Sequence, residues 1–135
     1  MKYKFSVEDE NVFLKYKDKE FKFKPNVKTI SEIQGLVMKA RIKMIQDLSK
    51  EGQTIKDLVK AIKKDGKTYY DNSNKVELEK IYQEQVTLEY FNNKSEELFG
   101  MDLTNLMQDI GLDGEDDAIK FSGEFMNYLS GNIPR

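Results

Sequence analysis

The sequence predicts an α+β fold in which an N-terminal antiparallel three-stranded meander packs on a mostly helical body of about five helices. Three observations carry this reading. Over the first 24 residues apolar and polar side chains alternate, the two-residue period of a half-buried strand. Directly after Pro25 the apolar spacing lengthens to that of a helix. From there on, capping residues and glycines divide the chain into helix-sized pieces.

In the meander, Tyr3, Phe5 and Val7 alternate with Lys2, Lys4 and Ser6. Val12, Leu14 and Tyr16 alternate with Phe13, Lys15 and Lys17, and Phe21 and Phe23 with Glu20, Lys22 and Lys24. The apolar set belongs to one sheet face and the lysines to the other. Polar turns fall at residues 8–11 and at Asp18-Lys19. Pro25, which has no N–H to give to a ladder, ends the third strand.

Thr29 with Glu32 three residues on has the form of a capping box. Ile30, Ile33, Leu36, Val37, Ala40, Met44 and Leu48 then predict one long helix ending at Gly52. Met38, Ile42 and Ile45 give that helix a second apolar side, which serves either a central core position or a partner. Ile55, Leu58, Val59 and Ile62 predict a short helix over 54–66, started by Thr54 and stopped near Gly66. Residues 67–74 (KTYYDNSN) read as a loop. A helix over 75–99 follows, with Asn92-Asn93 as a candidate break. Asp102 caps a short helix closed by Gly111, and a last helix runs over 115–129 with Ala118, Phe121, Phe125 and Leu129 on one face; Gly131 and Pro134 finish it. With 135 residues the chain reads as a single domain: a meander (1–24), a basic helical part (28–66), the loop (67–74) and an acidic helical part (75–135).

Composition removes several function classes. There are no cysteines and no histidines, which excludes disulfides, thiolate zinc sites, Cys nucleophiles and the commonest general base and metal ligand. Residues 1–5 are charged and no apolar signal segment follows, and no run reaches the roughly 20 apolar residues of a spanning helix; a cytoplasmic protein is expected. Charge is uneven. Residues 1–70 carry 17 Lys and Arg against 10 Asp and Glu, a net of +7, whereas residues 71–135 carry 5 against 14, a net of −9. The two halves either pack together or offer opposite faces to other molecules, head-to-tail self-association among them.

The acidic run over 109–117 (DIGLDGEDD) meets no calcium-loop register. Starting at Asp109, Gly114 is correct but Gly111 and Lys120 occupy ligand positions; starting at Asp113, Glu115, Asp117 and Glu124 are correct but Ala118 replaces the glycine. Acids at 115–117 instead suit the positive end of a helix. No phosphate loop, nucleophile elbow or Ser-Lys pair is present, and paired carboxylates such as Glu96-Glu97 lack an apolar pocket. No catalytic residue, metal or cofactor is therefore assigned, and a non-enzymatic role is expected. Lys2, Lys4, Lys15, Lys17, Lys22 and Lys24 form a basic meander face that a phosphate backbone would suit. A pI near 5.3, scarce arginine and the lack of outward aromatics other than Phe13 argue against nucleic acid, and lysines also guard exposed strands from aggregation. Protein binding through apolar helix faces is preferred, with Met38, Ile42, Ile45, Met107 and Met126 as candidate contact residues. Methionine suits adaptable interfaces and core gaps alike.

The opening KYKF…FLKYKDKEFKFKPNVKTISEIQ, with aromatic-lysine strands running straight into a helix, and the segment SEELFGMDLTNLMQDIGL followed by an acidic helix ending LSGNIPR, resemble the tail assembly chaperones of long-tailed phages and prophages of low-GC Gram-positive bacteria. The likeness extends over the chain through architecture and texture rather than through an invariant motif. It implies a cytoplasmic, non-enzymatic protein that coats the tape measure protein, keeps that long helical polypeptide soluble, helps recruit tail-tube subunits and self-associates weakly. It carries no site residues over.

Overall fold

The computed structural model describes residues 2–130 and is α+β. Strands β1 (Lys4–Glu8), β2 (Asn11–Tyr16) and β3 (Lys19–Phe23) form the expected antiparallel meander in the order β1-β2-β3. The register pairs Phe5 with Leu14, Leu14 with Phe21, and Val12 with Phe23. Phe5, Val12, Leu14, Tyr16 and Phe23 are buried on one face, while Lys4, Phe13, Lys15 and Lys22 share the other. Asp9 and Glu10 both take positive φ (51° and 66°), the handedness that a two-residue hairpin turn requires.

Five helices follow: α1 (Val27–Gln34), α2 (Leu36–Lys50), α3 (Ser73–Phe99), α4 (Leu103–Ile110) and α5 (Glu115–Leu129). The single long helix expected after Pro25 is two, divided at Gly35. Its cap lies earlier than the Thr29 box: the Asn26 side chain accepts from the Thr29 N–H at 2.8 Å. Glu32 is thereby freed, and it accepts instead from the Tyr90 hydroxyl at 2.9 Å and pairs with Lys94 at 3.4 Å. α3 runs through Asn92-Asn93 without a break.

The largest correction concerns residues 54–74. Thr54 does begin a turn, its N–H held by the Asp57 carboxylate at 2.8 Å, but only the single 3-10 turn Ile55–Leu58 forms. The rest of the expected helix and the expected loop are two antiparallel strands, β4 (Lys60–Lys64) and β5 (Lys67–Asp71), with Ile62 opposite Tyr69. The physical cause is the Asp65-Gly66 pair. Both adopt positive φ (54° and 74°), the conformation of a type I′ hairpin turn, and aromatic Tyr69 and Tyr70 favour an extended partner strand.

The chain forms two compact units. Unit 1 is made of Met1–Gly35 and Thr87–Arg135, and unit 2 of Leu36–Val86. Unit 1 contains the whole principal core. Phe125 is fully buried at its centre, its ring 5.1 Å from Phe91, 5.2 Å from Phe23 and 5.4 Å from both Phe5 and Phe99. The caps of α4 and the bounds of α5 fall where the sequence places them. Asp102 accepts from the Asn105 N–H at 2.8 Å, Gly111 closes α4 in the left-handed region at φ 91°, and α5 spans the expected 115–129 with three acids in its first turn. The expected end at Gly131 and Pro134 lies outside the described residues. No helix among the described residues is long and apolar enough to cross a membrane.

Candidate interaction surface

Unit 2 buries few side chains. Leu36, Ala40, Met44 and Leu48 recur every four residues along one face of α2, and Val86 is buried on α3. Within the unit the Tyr82 hydroxyl donates to Asp47 at 2.6 Å, and Arg41 lies 4.0 Å from Glu79. That hydrogen bond, with burial second, raises the Tyr82 phenol from 10.0 to about 12.

Exposed large apolar residues gather in the same unit. Of the eleven among the described residues, nine lie between Leu36 and Val86. On α2 they are Val37, Met38 (58% exposed), Ile42 (49%) and Ile45 (44%). At about 100° per residue, Met38, Ile42 and Ile45 fall within about 60° of arc, roughly 150° from the middle of the buried stripe. The helix therefore has two apolar faces, one sealed and one open. By the same geometry Arg41 flanks the open stripe on one side and Lys39, Lys43 and Lys50 on the other. Toward the end of α2, Ile45, Leu48 and Ile55 line an open groove of about 480 Å³ whose polar edge is Ser49, Gln53, Thr54 and Lys56. Covering three half-exposed side chains of this size is worth about 2–4 kcal/mol.

The other candidate residues separate. Met107 is 7% exposed and belongs to the unit 1 core beside Leu103, Leu106 and Ile110, so it is far less open than the α2 residues, although it also lines a groove between α4 and α5. The sequence already contained the reason: these four residues repeat at the spacing of one helix face and fill it. Met126 is partly buried against the same core.

The six lysines of the basic face are not equivalent either. The Lys2 ammonium donates to the Gly111 carbonyl, and Lys15 pairs with Glu20 at 3.6 Å. Lys17 sits in the β2–β3 turn at φ 52°, and Lys24 lies beyond the end of β3. Lys4 and Lys22 remain on the outer face, with the half-buried Phe13 opposite Lys22. No group of His, Cys, Asp and Glu suited to a metal ion exists among the described residues.

Comparison with family models, curated proteins and solved structures gives no match. An apolar stripe about two turns long, flanked by cations and continuous with a groove, has the form that receives an amphipathic helix through apolar side chains at three- and four-residue spacing. The sequence signal for it was the surplus of apolar positions in the segment after Pro25. The exposed hairpin residues Ile62, Tyr69 and Tyr70 give no such signal, because the helical spacing that ends at Ile62 predicts a helix there and the tyrosines fall in the expected loop.

Proposed function

We propose that this chain is a non-catalytic binding protein of the tail assembly chaperone kind that its sequence resembles, holding a long helical client on the open face of α2. The observation that carries the proposal is the stripe formed by Met38, Ile42 and Ile45, set nearly opposite the buried stripe of the same helix. A monomer has no internal use for a second apolar helix face, and exposed apolar surface of this kind marks a binding site. The cationic flanks favour a client helix with acidic residues beside its apolar seam. In the tail-assembly setting the client is the tape measure protein, with tail-tube subunits as further partners, and the site of action is the host cytoplasm.

The test is co-expression with a long, helix-rich polypeptide encoded beside this chain. The wild type should co-purify with it. An Ile42→Asp/Ile45→Asp variant should keep its circular dichroism and melting temperature while capture falls by about tenfold or more, since a charge inserted in a desolvated apolar contact is costly. Undiminished capture, or unfolding of the variant, would remove the proposal.

A further inference from the structure

The β4–β5 hairpin is open to solvent along its whole length. Every residue of β4 is exposed, as is every residue of β5 except Asp71. A two-stranded hairpin standing alone in water is marginally stable, and this one exposes Ile62 and Tyr69 as a cross-strand pair on one face and Tyr70 (73% exposed) on the other. Lys60, Lys64 and Lys67 share the face of the Ile62–Tyr69 pair. Lys64 and Lys67 have no ion-pair partner among the described residues.

Unit 1 carries a surface of the opposite character. Between α4 and the start of α5 lies an open groove of about 280 Å³ with Leu103, Met107, Leu112 and Ala118 in its lining and Asp113 and Glu115 on its edge. The exposed Asp116 follows. Asp113, Glu115 and Asp116 have no cation within ion-pair distance among the described residues. One surface is an apolar pair ringed by free lysines, and the other an apolar hollow edged by free carboxylates.

We infer that the hairpin of one copy docks in the α4–α5 groove of a second copy, with Ile62 and Tyr69 in the hollow and Lys64 and Lys67 against Glu115 and Asp116. Charge complementarity selects this occupant over nucleic acid, whose phosphates would meet the same lysines but would be repelled by the acidic unit that accompanies them. The two patches differ, so the contact is head-to-tail and each copy retains one free hairpin and one free groove, which permits chains of copies. A hairpin of this size forms a small interface, and the association is reversible and weakened by salt. The inference does not depend on the client reading, because neither patch includes the open stripe of α2.

Sedimentation velocity of the full chain, from about 10 µM to about 1 mM, should show concentration-dependent association that weakens about tenfold or more between low and high salt. Lys64→Glu/Lys67→Glu and Glu115→Lys/Asp116→Lys should each be monomeric alone, and an equimolar mixture should associate again, because each variant then offers the charge the other needs. A wild-type chain that stays monomeric throughout, or associates without regard to salt, overturns the inference, and this measurement needs no variant. Folded swap variants that associate as the wild type does, or whose mixture stays monomeric, overturn it equally.

Discussion

The Tyr16 hydroxyl donates to the Asp109 carboxylate at 2.7 Å, joining the end of β2 to α4 across 93 residues of sequence. Lys19 reaches the same oxygen at 2.8 Å. A strand of the meander is thus tied to a helix of the body by a phenol and an ammonium that share one acceptor.

That arrangement sets a pH dependence. The hydrogen bond from Lys19, and then that from Tyr16, hold the Asp109 carboxyl below its ordinary 3.8. Its contribution is complete above the unfolded carboxylate range and is lost as pH falls through the lower folded value. Tyr16 behaves in the opposite sense. Burial, followed by its bond to Asp109, raises the phenol above 10.0, so its contribution is complete below pH 10 and is lost as pH rises through the folded value. Asp109→Asn should flatten the acid limb of a melting-temperature profile below about pH 4, and Tyr16→Phe should flatten the alkaline limb above about pH 10. Melting followed by circular dichroism at closely spaced pH values checks both.

The two faces of α2 should respond differently to truncation. Met44 is fully buried, and Met44→Ala is expected to cost about 2–5 kcal/mol. Met38→Ala removes a side chain already in water and should stay within about 0.5 kcal/mol of wild type. Urea unfolding of the two variants measures the contrast.

Phe125 should be the most sensitive position of unit 1, since five other aromatic rings meet it. Phe125→Ala is expected to cost about 3–5 kcal/mol, read from the shift of the urea midpoint.

Two glycines should give effects of opposite sign. Gly111 closes α4 at φ 91°, where a Cβ is strained, and Gly111→Ala should lose about 1 kcal/mol. Gly123 lies within α5 with open space where a Cβ would project, and Gly123→Ala should gain about 0.5–1 kcal/mol. Thermal melts of the two single variants test the pair.

The hairpin should open more readily than the meander. β2 lies between two strands over a buried face, whereas β4 and β5 have only each other. Amide hydrogen exchange in β4 should exceed that in β2 by about tenfold or more.

How far the sequence reveals this molecule follows from where its signals are unambiguous. The meander was legible because alternation and polar turns agreed, α4 because apolar period, cap and closing glycine agreed, and α5 because its apolar period and first-turn acids agreed. The division at Gly35 was not, since the apolar period of α1 continues into α2 and Gly35 itself keeps ordinary helical angles. Residues 55–62 mislead because Ile55, Leu58, Val59 and Ile62 have true helical spacing; only the Asp-Gly turn and the tyrosines beyond it argue for strands, and these act from outside the segment. For the candidate surface, Met38, Ile42 and Ile45 were legible as surplus apolar positions. Met107 was not separable by residue type alone, since a helix face filled by core looks the same in sequence as one reserved for a partner.

Unit 2 interrupts unit 1 in the chain, and this sets an order of events during translation. A ribosome releases the meander first, then the whole of Leu36–Val86, and only afterwards α5 with Phe121, Phe125 and Leu129. Until that last helix emerges, the inner face of the meander lacks the Phe121 and Phe125 rings that pack on Phe5 and Phe23, and contacts so distant along the chain close slowly. The inserted unit meanwhile has all of its residues outside the exit tunnel. First-time folding is thus vectorial, with the insert able to settle before the unit that contains it, an order that a chain diluted from denaturant is not obliged to follow.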